Sequence, residues 1–238
     1  MRPTRTPNPS PPHRAHSALA QSYVFLYTIS MDGLFRRRRL PHLDVADGTY
    51  FVTAALAGSR PARGLSSDRP HHMHGTTSAS PHEPWMCRRH ASWEHALDTE
   101  PLTRWLARHD LADIVHRAIL HGAGVHYDLI AHVVMPSHVH IVFRTFDDAC
   151  PAMSHRESAT VLVTPRQRIL HSIRSYSARA CNRVLSRTGA FWQRECYDHW
   201  LRNEHDIRSA VEYVARNPVV AGLCRRPEEW RFASRATS

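Results

Sequence analysis

The chain has 238 residues, 42% of them hydrophobic, with 16 prolines, a balance that suits one folded domain with irregular attachments. Its 31 basic residues outnumber 21 acidic ones for a formal charge of +10, which points to a polyanionic partner such as nucleic acid or an acidic membrane surface. No run approaches the roughly 18 apolar residues of a membrane-spanning helix, and five cysteines without close pairing make a poor disulfide framework or zinc site.

Every one of the 31 basic residues is arginine. A GC-rich genome produces that bias by itself, but the physical consequence is the same. Arginine forks match phosphate oxygens two at a time and stack on exposed bases. The cysteine usage fits a reducing cytoplasm.

Residues 1–35 are rich in Pro, Arg and Ser and read as a disordered N-terminal extension. The apolar run Ala18–Ile29 only faintly resembles a secretory signal, being broken by Gln21, Ser22 and Thr28. Met31 is a second candidate initiator. The run Arg36–Arg39 is either a phosphate-contacting arm or a solvated tail.

Thr49–Leu56 (TYFVTAAL) is rich in β-branched and aromatic residues and predicts a strand. Gly58–Trp93 mixes Pro, Gly, Ser and His, and its length predicts a disordered insertion at about 58–93. The cluster of His71, His72 and His74 inside it reads as an adventitious metal binder. From about Glu100 to His121 the apolar residues recur at spacings of three to five, predicting a helix ended by Gly122 and Gly124.

Val125–Met135 predicts a second strand, Pro136-Ser137 a turn, and His138–Thr145 a third strand. A polar linker, Phe146–Ser158, leads to a helix at Pro165–Leu185. Ala190–Trp200 reads as extended. A last helix runs from Glu204 to Arg216 and stops at Asn217-Pro218, because the residue before proline avoids the α region. This order predicts an α+β ferredoxin-like layer, an antiparallel sheet with helices on one face.

Within the third strand, side chains alternate faces. Val139, Ile141 and Phe143 form the core face, and His138 and His140 are neighbours on the other. Two imidazoles so placed can chelate one divalent cation, although His-x-His alone is weak evidence in a chain with 20 histidines. A histidine-triad hydrolase needs a third alternate histidine, and position 142 is valine.

In the last helix Ile207, Ala210, Val211, Val214 and Ala215 make the core stripe, with Tyr213 on its flank and Asn217 one turn further along. The bland reading is a boundary tyrosine and a helix-ending asparagine. The functional one is a tyrosine nucleophile beside an amide oxygen that supplies the third metal ligand.

These residues, in this order, resemble the single-tyrosine transposases of the His-hydrophobic-His (HUH) class, in the branch associated with repetitive extragenic palindromes (REP). The resemblance runs through GTYFVT near residue 50, HVVMPSHVHIVF at 132–143, SIRSYSARACNRVL at 172–185, and Phe191–Leu223, and ends at EEWRFAS. It places a transposase domain at 36–236. It implies that His138 and His140 bind metal, that Asn217 is the helix-borne ligand, and that Tyr213 is the nucleophile.

The implied activity is a DNA endonuclease and strand transferase on single strands folded into hairpins. Tyr213 would form a 5′-phosphotyrosine and leave a free 3′-hydroxyl, with Mg2+ or Mn2+ as cofactor. Arg174, Arg179, Arg183, Arg194 and Arg202 are candidate DNA contacts, and a solvated face gives the same pattern for the helical ones. The implied setting is the bacterial cytoplasm at the nucleoid, with the chain as a monomer or a homodimer in which a partner contributes the tyrosine helix. His132 and Trp192 read as core. The competing expectations are a non-catalytic DNA-binding derivative of a transposase and a small-nucleotide phosphoesterase.

Overall fold

The computed structural model describes residues 27–30, 33–37, 41–59, 88–99, 101–146, 152–156 and 159–234. The strands in chain order are β1 (Tyr27–Ser30), β2 (Gly33–Arg37), β3 (Pro41–Asp44), β4 (Thr49–Ala55), β5 (Tyr127–Val134), β6 (His138–Thr145), β7 (Ala152–Arg156), β8 (Ala159–Val163) and β9 (Tyr197–Leu201). The helices are α1 (Arg88–Thr99), α2 (His109–His121), α3 (Pro165–Val184) and α4 (Glu204–Val220). Met31, the histidines at 71, 72 and 74, most of the N-terminal extension and residues 60–87 of the expected insertion lie outside the described residues. No described helix is long and apolar enough to cross a membrane.

The central sheet has the order β5-β6-β4-β9, with every neighbouring pair antiparallel. Taken with the crossover α2 between β4 and β5, and α3 between β6 and β9, this is the ferredoxin-like arrangement that the element order predicts. β4 lies in the middle and is buried along its whole length, which explains why its sequence is nearly all apolar rather than alternating. β6 is buried everywhere except Arg144.

The two faces of the sheet have separate cores. Tyr50, Val52 and Ala54 of β4 and Val139, Ile141 and Phe143 of β6 pack under α2 and α3. The buried face of α2 is Leu111, Ala112, Val115, Ala118 and Ile119. Phe51 and Val142 point the other way and pack with Ala210 and Val214 of α4. Two helices therefore occupy one face as expected, and a third long helix covers the opposite face.

Local chemistry sets the helix limits. Thr164 caps α3 in a reciprocal pair, accepting from the Gln167 amide while the Gln167 side chain accepts from the Thr164 amide. Asn203 caps α4 through the Asp206 amide at 2.9 Å. At the end of α2, a Cβ on Gly122 would come within 2.8 Å of the Tyr127 ring, whose hydroxyl donates to the Ile119 carbonyl.

Four elements differ from the sequence reading. α1 begins at Arg88, inside the stretch expected to be irregular. The expected helix from Glu100 starts instead as a 3-10 turn at Trp105–Ala107 and becomes α-helical at His109. The expected linker contains β7, which pairs with β8 just beyond it in a hairpin, and residues 27–44 hold the antiparallel β1-β2-β3 sheet.

α4 also runs through Asn217-Pro218 to Val220. Proline here lies in the final turn, where only one backbone donor is lost. The Ala221 amide donates to the Asn217 carbonyl at 2.9 Å and the Leu223 amide to that of Pro218 at 2.8 Å, closing the end.

A buried ion-pair network locks α3 to the sheet. Arg166 is 3% exposed and donates to Asp44 at 2.7 and 3.1 Å, while its other nitrogen meets Asp198 of β9 at 2.9 Å. The C-terminal segment completes the β5 edge. There the Val134 amide donates to the Phe232 carbonyl and the Ser234 amide to that of His132.

Candidate active site under the last helix

β6 places His138 and His140 side by side on the face covered by α4, and both are fully buried. The sequence reading had this face turned away from any core. α4 and α1 together cover it. The Nε2 atoms of the two imidazoles are 3.0 Å apart.

Their other nitrogens are held by hydroxyls. His138 Nδ1 lies 2.9 Å from Ser137 Oγ, whose hydrogen goes to the Leu97 carbonyl at 2.9 Å. His140 Nδ1 lies 3.0 Å from Thr53 Oγ1, whose hydrogen goes to Glu94 Oε1. Each hydroxyl has spent its only donor, so both Nδ1 atoms carry hydrogen and both Nε2 lone pairs converge. Such an arrangement repels unless a cation is shared, and outer partners that fix the tautomer in this way are usual behind metal-binding histidines.

Tyr213 approaches from α4. Its ring meets His140 edge-on at 5.5 Å and Phe51 at 5.8 Å, and its hydroxyl donates to Glu94 Oε2. Burial first, and then the charge of Glu94, hold the phenol well above the ordinary tyrosine range, while a hydrogen bond from Asn217 pulls the other way. Asn217, one turn on, is 3% exposed, and its Oδ1 is buried without a hydrogen-bond partner.

An orphaned amide oxygen on the helix that covers two convergent imidazoles is the kind of donor that suits a divalent ion. Among the described residues no three of His, Cys, Asp and Glu are arranged to hold a metal, so such a set depends on the amide.

Two carboxylates of α1 were not singled out in the sequence. Glu94 is 1% exposed and also lies 3.5 Å from His140 Nδ1. Asp98 Oδ1 is 3.6 Å from His138 Nε2 and has no hydrogen-bond partner. Burial, and then Glu94, push the Asp98 carboxyl up to about 7. The legible signal was an acidic pair four residues apart, which shares one helix face, next to Trp93 and Leu97 in WEHALD. A shallow dent opens beside Asp98, between Leu97, Met135-Pro136 and the Ala221–Leu223 end of α4.

The candidate DNA-contacting arginines do not gather at this site. α3 lies across the sheet from the histidines. Arg179 and Arg183 are exposed on it, and Arg174 is half-buried with its guanidinium committed to the Gln193 and Arg194 carbonyls. Arg194 and Arg202 are exposed, and Arg202 stacks over Trp200 at 5.3 Å. His132 and Trp192 are buried as expected, with His132 Nε2 2.9 Å from His116 Nδ1 and Trp192 Nε1 donating to Ser177 at 3.0 Å. Cys181, Cys196 and Cys224 are free thiols.

No protein-family model matches the chain. Over 111 residues it is 21% identical to a Haemophilus influenzae protein provisionally named a REP-associated tyrosine transposase. That match takes in 45% of the chain and spans 58% of the relative's length. Among solved structures, a REP-associated tyrosine transposase bound to a REP hairpin aligns at 17% identity and a TM-score of 0.46, over 83% of this chain and 82% of that one. The Haemophilus influenzae relative bears the name of the group that the MPSHVH and EYVARNP motifs resemble.

Proposed function

We propose that the chain is a metal-dependent endonuclease and strand transferase acting on single-stranded DNA folded into hairpins, with Tyr213 as nucleophile. The observation that carries this reading is the convergence of Tyr213 and the His138–His140 pair beneath α4, within one buried cluster. The Tyr213 oxygen would bond to the scissile phosphorus, the phosphorus–O3′ bond would break, and the 3′-oxygen would leave as a hydroxyl once protonated. The link on tyrosine conserves the bond energy, so rejoining needs no nucleotide cofactor.

His138, His140 and Asn217 would hold Mg2+ or Mn2+. Bound there, the ion would polarise a phosphoryl oxygen and offset charge in the transition state. Ser137 and Thr53 keep the imidazoles in the tautomer that leaves Nε2 available. The exposed arginines, Arg179, Arg183, Arg194 and Arg202, would hold the DNA backbone away from the reacting phosphate, as phosphate contacts do. His138 and His140 are fully buried, so a DNA phosphate reaches the imidazoles only if α1 or α4 shifts.

That closure favours one competing reading, a DNA-binding derivative without catalysis. Incubation of the protein with labelled hairpin DNA from the flanks of its gene and Mn2+ separates the two. A covalent adduct on a denaturing gel that disappears in Tyr213→Phe supports the transferase. Tight hairpin binding with no adduct from the wild type supports the binding-only protein.

A further inference from the structure

Two hydrogen bonds accepted by the Glu94 carboxylate lead to different parts of the site. Oε2 accepts the Tyr213 hydroxyl. Oε1 accepts Thr53 Oγ1, and that hydroxyl in turn fixes His140 Nδ1 at 3.0 Å. The path Tyr213–Glu94–Thr53–His140 joins the nucleophile on α4 to an imidazole on β6 through a helix that lies outside every stretch carrying the family resemblance. Glu94 is 1% exposed, and a buried carboxylate is retained at such a cost only where its oxygens are satisfied.

We propose that Glu94 is a positioning residue of the reaction, which sets the direction of the Tyr213 hydroxyl and keeps it in register with His140. The inference rests on Tyr213 being the nucleophile. The hydroxyl of a free tyrosine rotates about its ring carbon, and the ring itself swings about two side-chain torsions. A bidentate acceptor anchored to β4 through Thr53 removes that freedom before DNA arrives, and near-attack geometry is worth large factors in rate. Because Thr53 is shared, the same carboxylate also holds the His140 ring in the orientation that presents Nε2.

The test uses the full-length protein and a saturating amount of labelled hairpin DNA with Mn2+, with the adduct-forming rate and the hairpin Kd measured separately. Glu94→Ala should lower the rate about a hundredfold, as a misplaced reacting group does, with the hairpin Kd unchanged. Glu94→Gln keeps an acceptor oxygen of the same shape and should restore the rate to within about tenfold of the wild type. Thr53→Val, which breaks only the link to His140, should weaken Mn2+ binding measured by calorimetry without DNA, in the 10- to 100-fold range typical of outer partners.

A Glu94→Ala rate within twofold of the wild type overturns the proposal, as does a Glu94→Gln variant no better than Glu94→Ala. If the alanine variant does not fold, the glutamine and valine variants carry the test. Absence of any adduct from the wild type overturns the reading of Tyr213, and this inference with it.

Discussion

His138 Nε2 and His140 Nε2 face each other at 3.0 Å, and the hydroxyls of Ser137 and Thr53 hold the hydrogens on the opposite ring nitrogens. Two ring nitrogens with their lone pairs aimed at each other at that distance are an energetic liability in a buried site. A cation shared between them turns the liability into binding energy. The pair therefore predicts a divalent-metal response that does not depend on DNA.

At about 100 times its Kd, Mn2+ should add about 2.7 kcal/mol to stability, a rise of roughly 5–10 °C in Tm for a chain of this size. His138→Ala and His140→Ala should each abolish the rise, and Asn217→Ala should shrink it. A thermal melt with and without Mn2+ checks this. An unchanged rise in the His138→Ala/His140→Ala double variant would show that the ion binds elsewhere.

Arg166 supplies a stability prediction away from the site. Its guanidinium answers Asp44 and Asp198, all but excluded from water. Arg166→Met leaves two buried carboxylates without their cation, which should cost about 3–5 kcal/mol. Chemical denaturation reads the loss directly. A change below about 1 kcal/mol, the range of surface pairs, would mean that water reaches the network.

Acid should destabilise the fold through His132. Burial, and then the neighbouring His116, lower its pKa to about 3. The folded pKa lies below the unfolded one, so as pH falls the unfolded chain takes up the proton first. Stability from this group is therefore full above about pH 6.5 and is lost steadily down to about 3, at roughly 1.4 kcal/mol per pH unit. Between about pH 6.5 and 5 the loss is about 2 kcal/mol. In His132→Phe the fall over that interval should be smaller by this amount, measured as the difference in unfolding free energy at the two pH values.

The C-terminal segment should behave as part of the fold rather than as a tail. Phe232 is 4% exposed and packs against the rings of His109 and His116, while Trp230 Nε1 donates to the Val134 carbonyl at 3.0 Å. Phe232→Ala should cost about 3–5 kcal/mol, the range for buried phenylalanine. A near-neutral result in denaturant unfolding would mean that β5 holds its edge without it.

Most of the sheet was legible because period-two patterning and strand chemistry agree. His138–Thr145 was bounded correctly from alternation and the Pro136-Ser137 turn alone. α3 was legible to within one residue at its C-terminus, since Thr164, Pro165 and Gln167 form a local start signal. What escaped were features that depend on tertiary packing. α1 has weak periodicity and follows a Pro/His-rich stretch, so nothing local separates it from a loop. Pro218 was read as a stop because its local rule is strong, but the burial of Asn217 and Pro218 against the sheet carries the helix one turn further.

The site divides along the same line. The histidines, Tyr213 and Asn217 were readable as residue types at telling spacings, and the family resemblance assigned their roles. Glu94 was not, because its meaning comes from three partners on β4, β6 and α4 that lie far from it in sequence.

The central claim is that Tyr213 becomes covalently attached to DNA. Trypsin cuts after Arg208 and Arg216, so the peptide Ser209–Arg216 contains Tyr213 as its only tyrosine. After reaction with hairpin DNA and Mn2+, then nuclease and trypsin digestion, mass spectrometry of that peptide is the most direct measurement. The account predicts that it gains the mass of a 5′-phosphonucleotide on Tyr213, and that Tyr213→Phe never does. Cleavage of the DNA with the nucleotide mass on any other peptide, or with no adduct at all, would contradict it.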